Sequence, residues 1–223
     1  MSGTWSLAIV TSTPQVSVAL AGADGVIGAV TLRTGRRHGE TLAPALEFLT
    51  RSTGITLGVV ERVAVDTGPG LFTGLRVGVA TAKALGSALG VPVVPCSSLD
   101  LLAHPHRGCR RMVASVVDAR RGEVFWALYE PIADGMVAIT DAVAQAPDEV
   151  SAALTETPDV LLSGDGARRY LSAGPFELAP AGYDHPSATV LAELALTRPG
   201  LPAEKVTPTY LRGADVRIGW EQR

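Results

Sequence analysis

Residue types able to do chemistry sit in short polar segments between apolar runs. The segment Gly68-Pro69-Gly70-Leu71-Phe72-Thr73-Gly74 joins an apolar run to a long helical pattern. A helix N-terminus presents unpaired backbone N–H groups and the positive end of the helix dipole, and both favour an anion such as phosphate. Gly68, Gly70 and Thr73 are therefore candidate nucleotide contacts, joined by Gly164, Asp165 and Gly166 in a second strand-to-helix turn. The first turn is not a P-loop, because no Lys-Ser or Lys-Thr follows its last glycine, and it is not G-x-G-x-x-G either. On spacing alone its glycines read first as allowing a tight turn and close helix packing. Asp165 reads most simply as a cap or turn residue.

The remaining candidates carry less. His38-Gly39-Glu40 has no second His or Cys at ligand spacing and reads as loop polarity. His104 and His106 flank a proline and do not share a helix face. Asp118, Arg120, Arg121 and Glu123 fall in a hairpin turn, where such residues solvate and fix the turn. Arg107, Arg110, Arg111, Arg120 and Arg121 form a local basic set that reads as a solvated loop, with a small nucleic-acid contact as the alternative. No G-x-S-x-G elbow activates Ser97 or Ser98. No catalytic constellation assembles, and neither a catalytic nor a metal-binding residue is assigned.

The elements that must position these segments follow from periodicity. Trp5 to Val10 is an apolar run of strand length; Val16, Val18 and Leu20 alternate with small residues; Val26 to Leu32 returns after a Gly-Ala-Asp-Gly turn. These make an antiparallel meander. Glu40 to Arg51 is an amphipathic helix stopped by Gly54, with Pro44 tolerable in a first turn capped by Thr41. Arg62 to Asp66, a helix over Thr73 to Leu89 and Val91 to Cys96 form a strand, helix and strand, hence a right-handed parallel crossover. Ser98 to Ala103 is a short helix with Asp100 exposed. Beyond a linker-like His104 to Gly108, the strands Met112 to Asp118 and Glu123 to Tyr129 repeat the opening hairpin, a weak internal repeat. Val137 to Thr140 and Val160 to Ser163 are further strands, Asp148 to Leu154 and Pro186 to Leu196 further helices, and Pro208 to Arg212 a short edge strand.

The helix from Thr73 to Leu89 stands out, because its only charges are Arg76 and Lys83. A surface helix normally has an apolar stripe and a polar back. This one should be covered on more than one side, by its own sheet and by something else. Gly74, Gly78, Ala82 and Gly86 form a small-residue ridge at i, i+4 spacing, suited to close approach by another backbone. With Leu75, Val79 and Lys83, and with Leu42, Ala45, Leu46 and Leu49 of the preceding helix, they are the expected partner interface. Which face meets the partner is left open.

The bulk composition agrees with a soluble globular chain. It has 223 residues, 47% hydrophobic and 18% charged, with a net charge of −3. That acidic balance argues against a protein that grips nucleic acid alone over a broad surface. No membrane-length apolar run and no basic signal region are present, so a cytoplasmic location is expected. Cys96 and Cys109 match no metal spacing and read as reduced thiols, Cys96 buried.

The run DTGPGLFTGLRVGVATAKALGSALGVPVVPCSSLDLLA, from Asp66 to Ala103, closely resembles the signature of the bacterial TsaB family, also called YeaZ. LAIVTSTPQVSVAL, the helix led by His38, VVDARRGEVFWALY, SGDGARRY and PTYLR resemble that family's other blocks in the same order. The resemblance implies an α/β, two-lobed actin-like and sugar-kinase-like (ribonuclease H-like) fold with mixed sheets. Lobes over residues 1–106 and 107–223 are expected. It further implies a non-catalytic subunit that pairs with the homologous TsaD and with the ATPase TsaE. That assembly installs threonylcarbamoyl on N6 of the adenosine next to the anticodon of tRNAs reading ANN codons. The family precedent implies a homodimer in isolation, tRNA reached only through the complex, no intrinsic cofactor, and ATP or ADP only at the complex interface.

Two departures bear on activity. TsaD carries two metal-binding histidines four residues apart; alignment through Pro92 places Ser98 and Leu102 there, and leucine cannot ligate a metal. Where relatives commonly read D-T-S-T, this chain reads Val10-Thr11-Ser12-Thr13. In actin-like ATPases that aspartate orients magnesium and phosphate, so Val10 removes a charge handle for phosphoryl transfer. The competing reading is an actin-fold phosphotransferase acting alone, with ATP between Gly68–Gly74 and Gly164–Gly166.

Overall fold

The computed structural model describes residues 4–35 and 37–211. Strands β1 (Trp5–Val10), β2 (Gln15–Gly22) and β3 (Gly25–Arg33) form the expected meander, with Leu7 opposite Leu20 and Ile9 opposite Val18. Helix α1 (His38–Thr53) leads to β4 (Val60–Gly68), which pairs parallel to β1. Helix α2 (Phe72–Leu89) then crosses over to β5 (Val93–Ser97), parallel to β4. The first sheet therefore runs β3-β2-β1-β4-β5. Helix α3 (Ser98–Ala103) follows directly.

The second sheet repeats the plan. It is built from β6 (Val113–Arg120), β7 (Glu123–Ile132), β8 (Gly135–Ala138), β9 (Val143–Gln145), helix α4 (Pro147–Thr155), β10 (Leu161–Ser163), helix α5 (Asp165–Tyr170) and β11 (Glu177–Leu178). Its order is β11-β10-β6-β7-β8, with β9 paired to β7. An antiparallel hairpin flanked by parallel strands recurs in both sheets, so the weak sequence repeat is a repeat of topology.

Alternation along β1 sorts the first core into two layers. Leu7 and Ile9 face α1 and α2, where Leu42, Leu46, Leu49 and Val79 cover them. Ala8 and Val10 face the other way, onto Leu191, Ala192 and Ala195 of helix α6 (Ala188–Thr197). The small side chains on that face let α6 lie close, and the Ser6 hydroxyl donates to the Ala192 carbonyl at 2.6 Å.

This packing corrects the expected lobe boundary. Residues from α6 onward belong to the first sheet, not to a second lobe over 107–223. Arg62 Nη1 donates to the carbonyls of Ala195 and Arg198 at 2.5 and 3.2 Å, and Leu201 bridges to Val93. The reason is burial: α6 is apolar on most sides, and the Ala8/Val10 face of the first sheet is the large surface left for it to cover. Over Pro208 to Leu211 no strand forms; the Thr209 N–H bonds the Thr67 carbonyl at 2.7 Å, and Arg212 lies outside the described residues.

Helix α1 also starts earlier than expected. It begins at His38, Thr41 donates its hydroxyl back to the Arg37 carbonyl at 2.8 Å rather than capping, and Pro44 falls in the second turn. The carbonyl that Pro44 leaves unpaired belongs to exposed Glu40, so water can satisfy it. Among the described residues no helix is long and apolar enough to cross a membrane.

Candidate functional site

The glycine-rich turn and the start of α2 are pressed against the β1–β2 turn. A Cβ at Gly70 would meet the Ser12 carbonyl, one at Gly74 the Thr11 carbonyl, and one at Gly78 the Thr11 hydroxyl. That hydroxyl donates to the Gly74 carbonyl at 2.8 Å, and the Leu71 N–H donates to Ser12 at 2.7 Å. Gly86 abuts Val93 on β5. The glycines of the small-residue ridge therefore meet this chain's own β1–β2 turn and β5, which corrects the ridge's reading as a surface for another molecule.

The other glycines named as nucleotide contacts are filled in the same way. Gly68, at φ 102°, faces Leu75 and the Thr209 carbonyl, while Gly164 and Gly166 abut the backbone of Val116 to Asp118. The Asp165 carboxylate accepts the Asp118 N–H at 3.0 Å, so it is a turn-fixing group as the simpler reading had it. Of the six named residues Thr73 is the one classed as exposed.

Sequence reasoning missed the group that holds these segments together. Asp66, at the end of β4, is fully buried. It accepts hydrogen bonds from the Ser12 hydroxyl, from the Ser98 hydroxyl at 2.6 Å and from the Gly68 N–H at 2.9 Å. It thereby ties the β1–β2 turn, the glycine-rich turn and the start of α3 to one point. Burial pushes its carboxyl up from 3.8 to about 6, against the pull of those three donors, and nearby Asp100 adds to the rise. A carboxyl raised in the fold contributes stability below its unfolded value and loses it as pH rises towards the folded value. Stability should therefore fall by about 2 kcal/mol between pH 4 and 6 on account of Asp66. Asp66→Asn keeps a donor and an acceptor in place, and urea unfolding at several pH values should show that slope removed. An unchanged slope in the variant would assign it to another group.

Two further carboxylates tie distant segments together, and both were read as solvated or exposed. Asp118, buried at the end of β6, accepts from Arg120 Nη1 at 3.0 Å, Arg169 Nη1 at 3.2 Å and the Tyr170 hydroxyl at 3.3 Å. Asp100, expected to be exposed, is half-buried and accepts from Tyr129 of β7 at 2.9 Å and Arg198 at 2.9 Å. Arg198 also reaches the Cys96 sulfur at 3.0 Å. Burial pushes the Cys96 thiol up, which keeps it protonated and unreactive. His38, read as loop polarity, is buried instead, and its Nε2 bonds the Thr13 carbonyl at 2.7 Å. Among the described residues no group of His, Cys, Asp or Glu is arranged to hold a metal ion.

The helix pair presents a different face from the one expected. Leu42, Ala45, Leu46, Leu49, Gly74, Leu75, Gly78, Val79, Ala82 and Gly86 are all buried against the first sheet. Lys83 is tied down by the carbonyls of Glu204 and Val206 at 3.2 and 3.0 Å. Phe72 at the start of α2 is exposed; past it the larger apolar side chains are buried or half-buried, and the outward face carries Thr73, Arg76, Ala80, Ala84, Ser87 and Ala88. On α1 the exposed positions include Pro44 and Phe48, beside Glu40, Glu47 and Arg51, and Phe48 is 53% exposed. Both outward faces lie on the same side of the sheet, and that of α2 carries a single exposed charge, Arg76.

Residues 20–179 match the family model described as TsaD, tRNA N6-adenosine threonylcarbamoyltransferase. The chain is 28% identical to the Bacillus subtilis tRNA threonylcarbamoyladenosine biosynthesis protein TsaB, over 96% of each chain. It superimposes on YeaZ from Pseudomonas aeruginosa with a TM-score of 0.81 and 29% identity, covering 93% of this chain and 100% of that one. The ethanolamine utilization protein EutJ of Carboxydothermus hydrogenoformans, 9% identical with a TM-score of 0.51 over 84% of this chain and 89% of its own, shares the fold alone. Two sheets of repeated topology, a glycine-rich helix pressed on the β1–β2 turn and these likenesses agree: the chain is a member of the TsaB (YeaZ) family with an actin-like α/β fold.

Proposed function

We propose that this chain is a non-catalytic subunit in the biosynthesis of threonylcarbamoyladenosine at N6 of the adenosine next to the tRNA anticodon. In this reading it pairs with TsaD, engages TsaE, and reaches tRNA through that assembly. The observation that carries the pairing is the outward face of α1 and α2, where Pro44, Phe48, Ala80, Ala84 and Ala88 stand exposed on two adjacent helices. A second helix pair laid across such a face would complete a four-helix layer, with small residues allowing close approach. TsaD, as a homologue, would offer an equivalent pair, and a second copy of this chain would offer the same one when TsaD is absent. Full-length relatives named for this pathway support the role.

A supporting role rather than chemistry is consistent with two positions. Val10, where the family resemblance implies an aspartate, is buried in the core facing α6. Ser98 donates to Asp66 and Leu102 is buried, so the positions matching the TsaD histidines are used for packing. The test is reconstitution: with TsaD, TsaE, tRNA and threonylcarbamoyl-adenylate, modification is expected to depend on adding this chain. Modified tRNA formed at an equal rate without it would sink the proposal.

A further inference from the structure

Each sheet ends in a strand with an open edge. Strand β3 ends the first and β8 the second, and among the described residues no strand pairs the outer side of either. Such edges are commonly blunted by Lys or Pro within the strand. Strand β8 holds neither, and the one charge in β3 is Arg33 at its end. Beside the β8 edge, cross-strand pairing builds an apolar strip. Val137 lies opposite Glu130, Gly135 opposite Ile132 and Val143 opposite Trp126, while the Ile139 N–H bonds the Leu128 carbonyl at 2.8 Å. Alternation therefore puts Ile132, Val137, Ile139 and Val143 on one face. They are between 37% and 51% exposed. The charge around this strip has one sign: from Gly122 to Ala167 the chain carries nine Asp or Glu and no Lys, Arg or His. Exposed Asp134 precedes β8, and exposed Asp141 lies between Ile139 and Val143. The β3 edge has the opposite sign. From Gly25 to Gly39 there are three Arg and no Asp or Glu. Strand β3 pairs without irregularity from Gly28 to Arg33, and Leu32 stands 43% exposed beside exposed Arg33 and Arg37.

We propose that the two edges are a matched pair: β3 of one copy of this chain adds to β8 of the next, joining copies head to tail. Main-chain hydrogen bonds continue the sheet, Leu32 extends the apolar strip, and Arg33 and Arg37 meet Asp134 and Asp141. The same charges select the arrangement. Pairing β3 with β3 would set arginines against arginines, and β8 with β8 acids against acids, so both two-fold arrangements are repelled. A contact between unlike patches does not close within a pair, so assemblies grow beyond two copies.

The contact uses neither α1 nor α2 and does not rest on pairing with TsaD. Its test is sedimentation of the full chain carrying Ala80→Glu and Ala84→Glu, which removes self-association through the helix pair. At low ionic strength the average mass of this parent is expected to rise with concentration, and to fall back as salt is added. Arg33→Glu with Arg37→Glu, or Asp134→Lys with Asp141→Lys, should each weaken association at least about tenfold. All four positions are exposed, so the circular dichroism should not change. An equal mixture of the two reversed proteins should associate as the parent does, because each offers the edge that the other lacks. Damage to the fold would not be cured by mixing. A parent that stays monomeric at low salt, reversed proteins that associate like the parent, or a mixture that stays apart would each overturn the proposal. A monomeric parent whose Val137 and Ile139 amide signals shift on adding oligolysine would give the edge to a foreign basic segment, and would equally overturn pairing between copies.

Discussion

Gly74→Val should lower the melting temperature by roughly 10 °C, the equivalent of about 3 kcal/mol or more in a chain of this size. The position allows no cheap escape. A Cβ there would press on the backbone carbonyl of Thr11, with His38 Nε2 3.3 Å away on the other side. Neither neighbour is the far end of a flexible side chain, so α2 or the β1–β2 turn must move. Movement of the turn would break the Leu71-to-Ser12 and Ser12-to-Asp66 bonds together. Ala88→Val is the matched control: it puts the same side chain at an exposed position of the same helix and should shift the melting temperature little. Thermal unfolding by circular dichroism measures both. Equal small shifts would mean that the close contact at Gly74 is not a constraint on the fold.

The second large effect concerns pairing. Ala80→Glu combined with Ala84→Glu should leave the subunit folded, since both positions are exposed, yet weaken its association with TsaD at least a hundredfold. A carboxylate trapped without a partner in an apolar interface costs about 3–5 kcal/mol, and each 1.4 kcal/mol is about a factor of ten in affinity. Substituting the inward face instead would mislead. Val79 and Ala82 are buried at 4% and 0% exposure, so Val79→Glu or Ala82→Glu would unfold the chain, and loss of pairing would say nothing about the surface. Analytical ultracentrifugation of the double variant with and without TsaD gives the answer. Undiminished association would place the interface away from α1 and α2. The same variant should also lose self-association through the helix pair, because a homodimer would use the same outward face.

The element order was legible in the sequence because it follows from local rules. Periodicity of two marked the strands of both hairpins, glycines at positive φ stopped α1 and α2 at Gly54 and Gly90, and the glycine-rich block with its neighbours carried the family. The mixed, two-sheet architecture followed from a meander and a crossover repeated once. What the sequence left undecided were relations between residues far apart along the chain. Helix α2 is so nearly uncharged that its periodicity could not separate a face toward the sheet from a face toward a partner. That choice was made by the Thr11 and Ser12 carbonyls, which admit only glycine beside them. Asp66, Asp100 and Asp118 each looked solvated or unremarkable beside their sequence neighbours, and became buried or half-buried anchors through partners such as Ser98, Arg198 and Arg169. Helix α6 looked like part of the second lobe until the uncovered alanine face of the first sheet claimed it. Local chemistry sets which segments can be strands, helices and turns, because propensity and spacing act over a few residues. Which faces are buried, and which carboxylates are paired, depends on desolvation by distant segments, and only the assembled tertiary structure decides that.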